Sequence, residues 1–208
     1  MNDNRPVIGI TMGDPLGVGA EIIVKALADP ALRRRARFVI FGLNEQLAYT
    51  ADQIETDLAF RREPHENLRR FPFDLVVLDY DEIAIPPVMR RGPSRLGGQA
   101  SFRFCEDAIA AALDGTLDAI VTAPISKTSW HQAGIRKYPG HTELLADRCH
   151  TKRVAMMFVA PQLKVVLATI HEALSQIPNK FNIGCVFNPL DLANAALRDW
   201  FAIASPRL

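Results

Sequence analysis

The residues from Val121 to Glu143, VTAPISKTSWHQAGIRKYPGHTE, place an ammonium, several hydroxyls and an imidazole on turns. Lys127 follows a short β-branched run that ends at Pro124. A strand-to-helix turn of that kind aims backbone N–H groups, a hydroxyl and a cation outward together, which suits an anionic ligand. Lys127 is the candidate cation, and the alternative is an ordinary βα turn with a solvated lysine. Farther on, Tyr138-Pro139-Gly140 makes a sharp turn before His141-Thr142-Glu143. Thr142 is the expected cap of a helix there, Glu143 favours its positive end, and the His141 ring is placed either to face a cleft or to serve as a surface residue. His171 stands where the apolar run Leu163 to Ile170 stops. An imidazole at a strand terminus suits a metal ion, although one histidine is not a site.

Those turns need a scaffold. Val7-Ile8-Gly9-Ile10-Thr11 reads as a buried strand, followed by the glycine-rich turn Met12 to Gly19 and an apolar helical face through Leu27. The turn lacks Gly-Lys-Ser/Thr, so it is not a phosphate loop, and GxGxxG is absent as well. Asp14 within it either holds a ligand group or closes an Asx turn. Arg37 to Gly42 predicts a second strand, 44–52 a helix and Phe73 to Tyr80 another strand; Phe60 to Pro72 reads as a surface connection or irregular edge. Ile85 to Gly98 is too rich in proline and glycine to be a regular element. Gln99 to Leu113 carries apolar residues at helical spacing, Asp118 to Ala123 is the strand entering the central stretch, and Ser126 is positioned to cap a helix starting near Lys127.

Alternating strands and helices predict an α/β fold with a mainly parallel sheet. Val154 to Ala160 and Leu163 to Ile170 are separated only by Pro161-Gln162, which requires an antiparallel hairpin. The sheet is therefore expected to be mixed, or the hairpin to belong to a second lobe. A further helix is expected over 190–201. The chain closes on Pro206-Arg207-Leu208 where a new strand would begin, so it is expected to be shorter than the complete protein.

The 208 residues are 49% hydrophobic, enough for a substantial core in one large or two small domains. Twenty-four Lys and Arg against 23 Asp and Glu leave a formal charge of +1, which argues against general nucleic-acid or membrane-surface binding. The arginine pairs and triplet at 33–35, 61–62, 69–70 and 90–91 read as solvated faces. Cys105, Cys149 and Cys185 lack CxxC spacing, so no disulfide framework or zinc knuckle is indicated, and a cytoplasmic setting is expected. No run reaches the roughly 18 apolar residues of a membrane span.

With ITMGDPLGVGAEI at the start, VTAPISK and PGHTELLA in the middle, then VAMMFVAPQLKVVLATIH and ALRDWFAIASPRL, the chain resembles the 4-hydroxythreonine-4-phosphate dehydrogenase family of vitamin B6 biosynthesis. The resemblance implies a two-lobed α/β fold of the isocitrate and isopropylmalate dehydrogenase kind with mixed sheets, its C-terminal portion missing from this chain. The lobes would be 1–124 and an incomplete 125–208. It also implies a homodimer that uses NAD or NADP and a divalent metal, zinc, magnesium or cobalt. The substrate would be 4-phosphooxy-L-threonine, oxidised at its 3-hydroxyl and then decarboxylated to 3-amino-2-oxopropyl phosphate. By that likeness His141 and Thr142 contact substrate and His171 is a metal ligand; Lys127 is a catalytic candidate from the residues themselves. His171 is followed by Glu172-Ala173-Leu174, a departure from the family's usual Leu-Pro-Leu, and two further metal histidines of the family have no counterpart here. Two other expectations stay open: a related dehydrogenase of 4-phospho-D-threonate, erythronate or a cis-dihydrodiol, and a catalytically inactive remnant.

Overall fold

The computed structural model describes residues 4–170 and 172–208. By its packing the chain forms two compact units that meet between Leu145 and Ala146, whereas the lobes are expected to meet at 124/125.

In the first unit, β1 (Val7–Thr11) leads through the glycine-rich turn to α1 (Gly19–Leu27), and a short α2 (Pro30–Arg33) is capped by Asp29, whose carboxylate accepts the Ala31 N–H. Then follow β2 (Arg37–Gly42), α3 (Asn44–Gln53), β3 (Arg61–Pro64), β4 (Leu75–Asp79), α4 (Arg95–Leu113), β5 (Ala119–Thr122) and α5 (Lys127–Gln132). α6 (His141–Arg148) is divided by the unit boundary. The sheet has five strands in the order β3-β4-β2-β1-β5, parallel throughout. Parallel strands need covering on both faces, which is why β2 and β4 are continuous apolar runs. Val76, Val77 and Leu78 of β4 and Ile40 and Phe41 of β2 are wholly buried.

Moving from β1 to β2 goes one way across the sheet and from β4 to β5 the other. Right-handed crossovers then put α1 and α4 on opposite faces. β1 is thus flanked by strands whose following helices lie on different faces, and its C-terminal end beside β5 is the switch point of the sheet. The β1 and β5 turns are pressed together there. Asp14 N–H donates to the Pro124 carbonyl at 3.0 Å, and Ala123 N–H to the Thr11 carbonyl at 2.9 Å. Gly13 has φ +73°, and a Cβ on it would lie 2.2 Å from the Pro124 oxygen. Here glycine serves a close backbone approach.

The segment expected as an irregular edge includes β3, a short strand whose exposed Arg61 and Arg62 discourage edge pairing with another chain. The proline-rich loop ends sooner than expected, because Ser94 caps α4 by accepting the Gly97 N–H. The capping signal lay inside a stretch dominated by breakers.

In the second unit, β6 (Met157–Val159) and β7 (Lys164–Val166) form an antiparallel hairpin, Met157 opposite Val166. The hairpin is a separate two-stranded sheet, so the mixed-sheet expectation is corrected: the main sheet is parallel and the hairpin stands apart. Its strands are also shorter than the apolar runs suggested. α7 (Ile177–Lys180) precedes α8 (Ile183–Asp199), which begins well before the expected helix at 190. Asn182 caps α8 through the Cys185 N–H, and Pro189 is accommodated inside it. Arg153 pairs with Asp191, and a cavity of about 230 Å³ between hairpin and helix is lined by Met157, Val166, Ala193, Ala196 and Trp200. Phe158, Val159, Leu163, Ile183, Phe187 and Trp200 are exposed.

Gly13→Ala should cost about 2 kcal/mol or more in urea unfolding, because left-handed strain adds to a collision with backbone. A neutral substitution would show that the two turns need not approach so closely.

Candidate active site

α5 begins as the sequence predicts: Ser126 is its cap, accepting the Ser129 N–H at 3.1 Å, and Lys127 is its first helical residue. Among the described residues, exposed Lys127 makes no hydrogen bond or ion pair. Ser129 and Trp130 turn inward, and Trp130 is 1% exposed. Its indole N–H donates to Ser101 Oγ at 3.0 Å, and that hydroxyl donates to the Gly97 carbonyl at 2.7 Å. A buried indole needs such a partner, and this one pins α5 to α4.

The second turn returns to the first. Tyr138 is buried and stacks on Phe102 with ring centres 6.0 Å apart, while Phe102 meets Trp130 edge-on at 5.4 Å. Gly140 follows. A Cβ on Gly140 would lie 3.6 Å from Lys127 Cε and 3.7 Å from Glu143 Oε2. The lysine stem therefore runs along the bare backbone just before His141, and the two candidate turns, thirteen residues apart in sequence, are neighbours in space.

His141 opens α6, its ring edge-on to Trp130 at 5.9 Å. Its Nε2 is buried and has no hydrogen-bond partner. Burial disfavours the imidazolium, so the pKa of His141 lies below the ordinary 6.5. A neutral imidazole with an uncommitted nitrogen can bind a hydroxyl or hold a proton at Nε2. Thr142 is not the helix cap, in contrast to expectation. α6 starts at His141, two residues earlier than a Thr142 cap implies, the Gly140 carbonyl accepts the Leu144 N–H, and Thr142 lies half-buried in the first turn.

Asp14 closes the Asx turn, its Oδ1 accepting the Leu16 N–H at 3.0 Å. Among the arginines, Arg62 pairs with Asp79 and Asp81, Arg61 with Glu63 and Arg70 with Asp118. A cavity of about 350 Å³ at the ends of β2 and β4 is lined by Leu43, Arg62, Asp79, Asp81, Ile85 and Pro86, and includes neither Lys127 nor His141. His171 lies outside the described residues. Among the described residues no three His, Cys, Asp or Glu side chains gather to hold a metal ion. Trp130 was not singled out from the sequence, and Gly140 was read only as part of a sharp turn. The signal for Gly140 was its place between Pro139 and His141; Trp130 had none, since its wall is assembled from α4 and the 138 turn.

Residues 33–208 match the family model described as pyridoxal phosphate biosynthetic protein PdxA. A 4-hydroxythreonine-4-phosphate dehydrogenase of Desulforapulum autotrophicum is 36% identical, with 100% of this chain covering 61% of it. A D-threonate 4-phosphate dehydrogenase of Cupriavidus necator is 37% identical, with 100% covering 62%. The structure of a putative 4-hydroxythreonine-4-phosphate dehydrogenase from Salmonella typhimurium superposes with a TM-score of 0.84 at 32% identity, 98% of this chain covering 62% of that one. The chain thus spans about three fifths of the length of these proteins.

Between the lowered folded-state pKa of His141 and the unfolded value of about 6.5, the unfolded chain binds more proton, so stability rises with pH. The contribution is complete above about pH 6.5 and is lost as pH falls through the folded-state value. Urea unfolding at a series of pH values should show that acid-side loss in the native chain and a flatter profile in His141→Gln. Parallel profiles would contradict a buried neutral imidazole.

Proposed function

The chain belongs to the pyridoxal phosphate biosynthetic protein PdxA family, and from that membership we propose that the protein is a metal-dependent NAD(P) dehydrogenase of 4-phosphooxy-L-threonine. The 3-hydroxyl is oxidised to a ketone, its C–H leaving as hydride to NAD or NADP and its O–H proton to a base. The carboxylate then departs as carbon dioxide, giving 3-amino-2-oxopropyl phosphate. The observation that supports this most is the approach of the Lys127 stem to Gly140, the residue that precedes His141.

The chain's own groups suit such a substrate. The Lys127 ammonium and the first N–H groups of α6 favour an anionic phosphate or carboxylate. His141 carries a buried Nε2 with no protein partner, which a substrate hydroxyl reaching the ring would satisfy, and Thr142 adds a hydroxyl one residue on. The aromatic wall of Phe102, Trp130 and Tyr138 keeps these groups in place. A divalent metal, zinc, magnesium or cobalt, would acidify the hydroxyl and polarise the ketone. Its assignment rests on the family likeness, with His171 as one ligand, because the described residues do not compose a metal shell. The same reading includes a two-lobed isocitrate dehydrogenase-like architecture with lobes 1–124 and 125–208, a cytoplasmic setting and a homodimer that covers the exposed apolar side chains of the second unit.

A second substrate reading has its own support, since the Cupriavidus necator relative is named for D-threonate 4-phosphate. Supplying each phosphorylated acid with NAD or NADP, with and without a chelator, and following nicotinamide reduction separates the two. Lys127→Met should raise KM by about tenfold to a hundredfold, the worth of one charge-assisted hydrogen bond. Absence of turnover with both acids would reject the reading. Light scattering should give a mass of twice 23.1 kDa, and Phe158→Lys with Leu163→Glu should shift it to the monomer. A monomeric native protein would reject the dimer.

A further inference from the structure

The Asx turn at Asp14 uses only half of a buried carboxylate. Oδ1 serves the Leu16 N–H; Oδ2 accepts a second hydrogen bond, 2.6 Å, from the Ser129 hydroxyl. Asp14 is 3% exposed and Ser129 0%. An asparagine would satisfy the turn with its one amide oxygen, but its Nδ2 could only donate to Ser129 Oγ, so the Ser129 hydroxyl proton would lose its carboxylate acceptor. The aspartate is thus needed for α5 and not for the turn.

Ser129 is a junction of three segments. Its hydroxyl donates to Asp14 and accepts the Ser94 N–H at 3.1 Å, while its own N–H donates to Ser126 Oγ. The β1 turn and the cap of α4 therefore meet on the Ser129 side chain and the cap of α5 on its backbone N–H, two residues from Lys127. There is no slack around it: a Cβ on Gly97 would lie 2.4 Å from Asp14 Oδ1, and one on Gly98 would lie 2.1 Å from the Ser129 carbonyl oxygen. The direction of Lys127 is set by the first turn of α5, since the exposed lysine has no hydrogen-bond partner of its own among the described residues.

We propose that Asp14 is a positioning residue for Lys127, holding the first turn of α5 through Ser129 so that the lysine stem runs along Gly140 to the ligand at His141. This role rests on the function proposed for that site. Asp14 does not touch the ligand.

Kinetics with 4-phosphooxy-L-threonine on the native protein, Asp14→Asn, Lys127→Met and the double variant test it. Asp14→Asn should raise KM about tenfold and change kcat by less than about threefold. The double variant should be no worse than Lys127→Met alone, because an absent lysine cannot be misplaced. Ser129→Ala, which removes the hydroxyl without adding bulk, should repeat the Asp14→Asn pattern. Amide exchange gives a readout independent of turnover: Ser129 and Trp130 should exchange about tenfold faster in Asp14→Asn while β1 is unchanged. Multiplying effects in the double variant, or unchanged exchange at α5, would overturn the positioning role and leave Asp14 as a stabilising group. A silent Lys127→Met would reject the site's assignment of Lys127 and this role with it. Should Asp14→Asn fail to fold, Ser129→Ala carries the same comparison.

Discussion

Backbone contact between the ends of β1 and β5 is the constraint from which the site follows. Two parallel strands continue their pairing past the sheet, through Ala123 to Thr11 and Asp14 to Pro124, and only a residue without Cβ can stand at Gly13 while they do so. Because the turns are in van der Waals contact, the next residues of each chain segment cannot drift apart. Asp14 emerges from one and α5 from the other, and their side chains join at Ser129.

From that junction the geometry propagates by packing. Trp130 is tied to Ser101 on α4 and meets Phe102, which stacks on Tyr138, so the inner face of α5 is held. The turn at Gly140 closes over the lysine stem because it offers bare backbone. His141 then loses solvent to the tryptophan edge, and that loss is what keeps its imidazole neutral and its Nε2 uncommitted. One feature, a close approach of two turns, thus bears on a cation's direction and on a histidine's protonation.

The second unit shows a different economy. Its hairpin and α8 bury a small shared interior and leave large apolar side chains in solvent. Its charged contacts, Arg153 with Asp191 and Lys180 with Glu172, are partly exposed and contribute little to stability. A surface of this composition is suited to being covered, which accords with the homodimer proposed above.

Periodicity and turn chemistry alone determined four of the five strands of the parallel sheet, β3 being the exception, with the main helices behind them and the Ser126 cap, and they offered the Asx turn at Asp14 as one of two roles. Each depends on residues a few positions apart, so local preference and tertiary structure agree. Ordered motifs along the chain also pointed to the family. Local signals failed where breakers and formers overlapped: Ser94 caps a helix inside a proline-rich stretch and α8 absorbs Pro189. Of the two places left open for the hairpin, the structure has it outside the main sheet. Only the tertiary structure decided that Lys127 lies against Gly140, that Thr142 is inside α6 instead of capping it, and that Asp14 reaches Ser129 across 115 positions. Those facts arise from contacts between segments distant in sequence, and neither spacing nor propensity carries information about which distant side chain fills a given hollow.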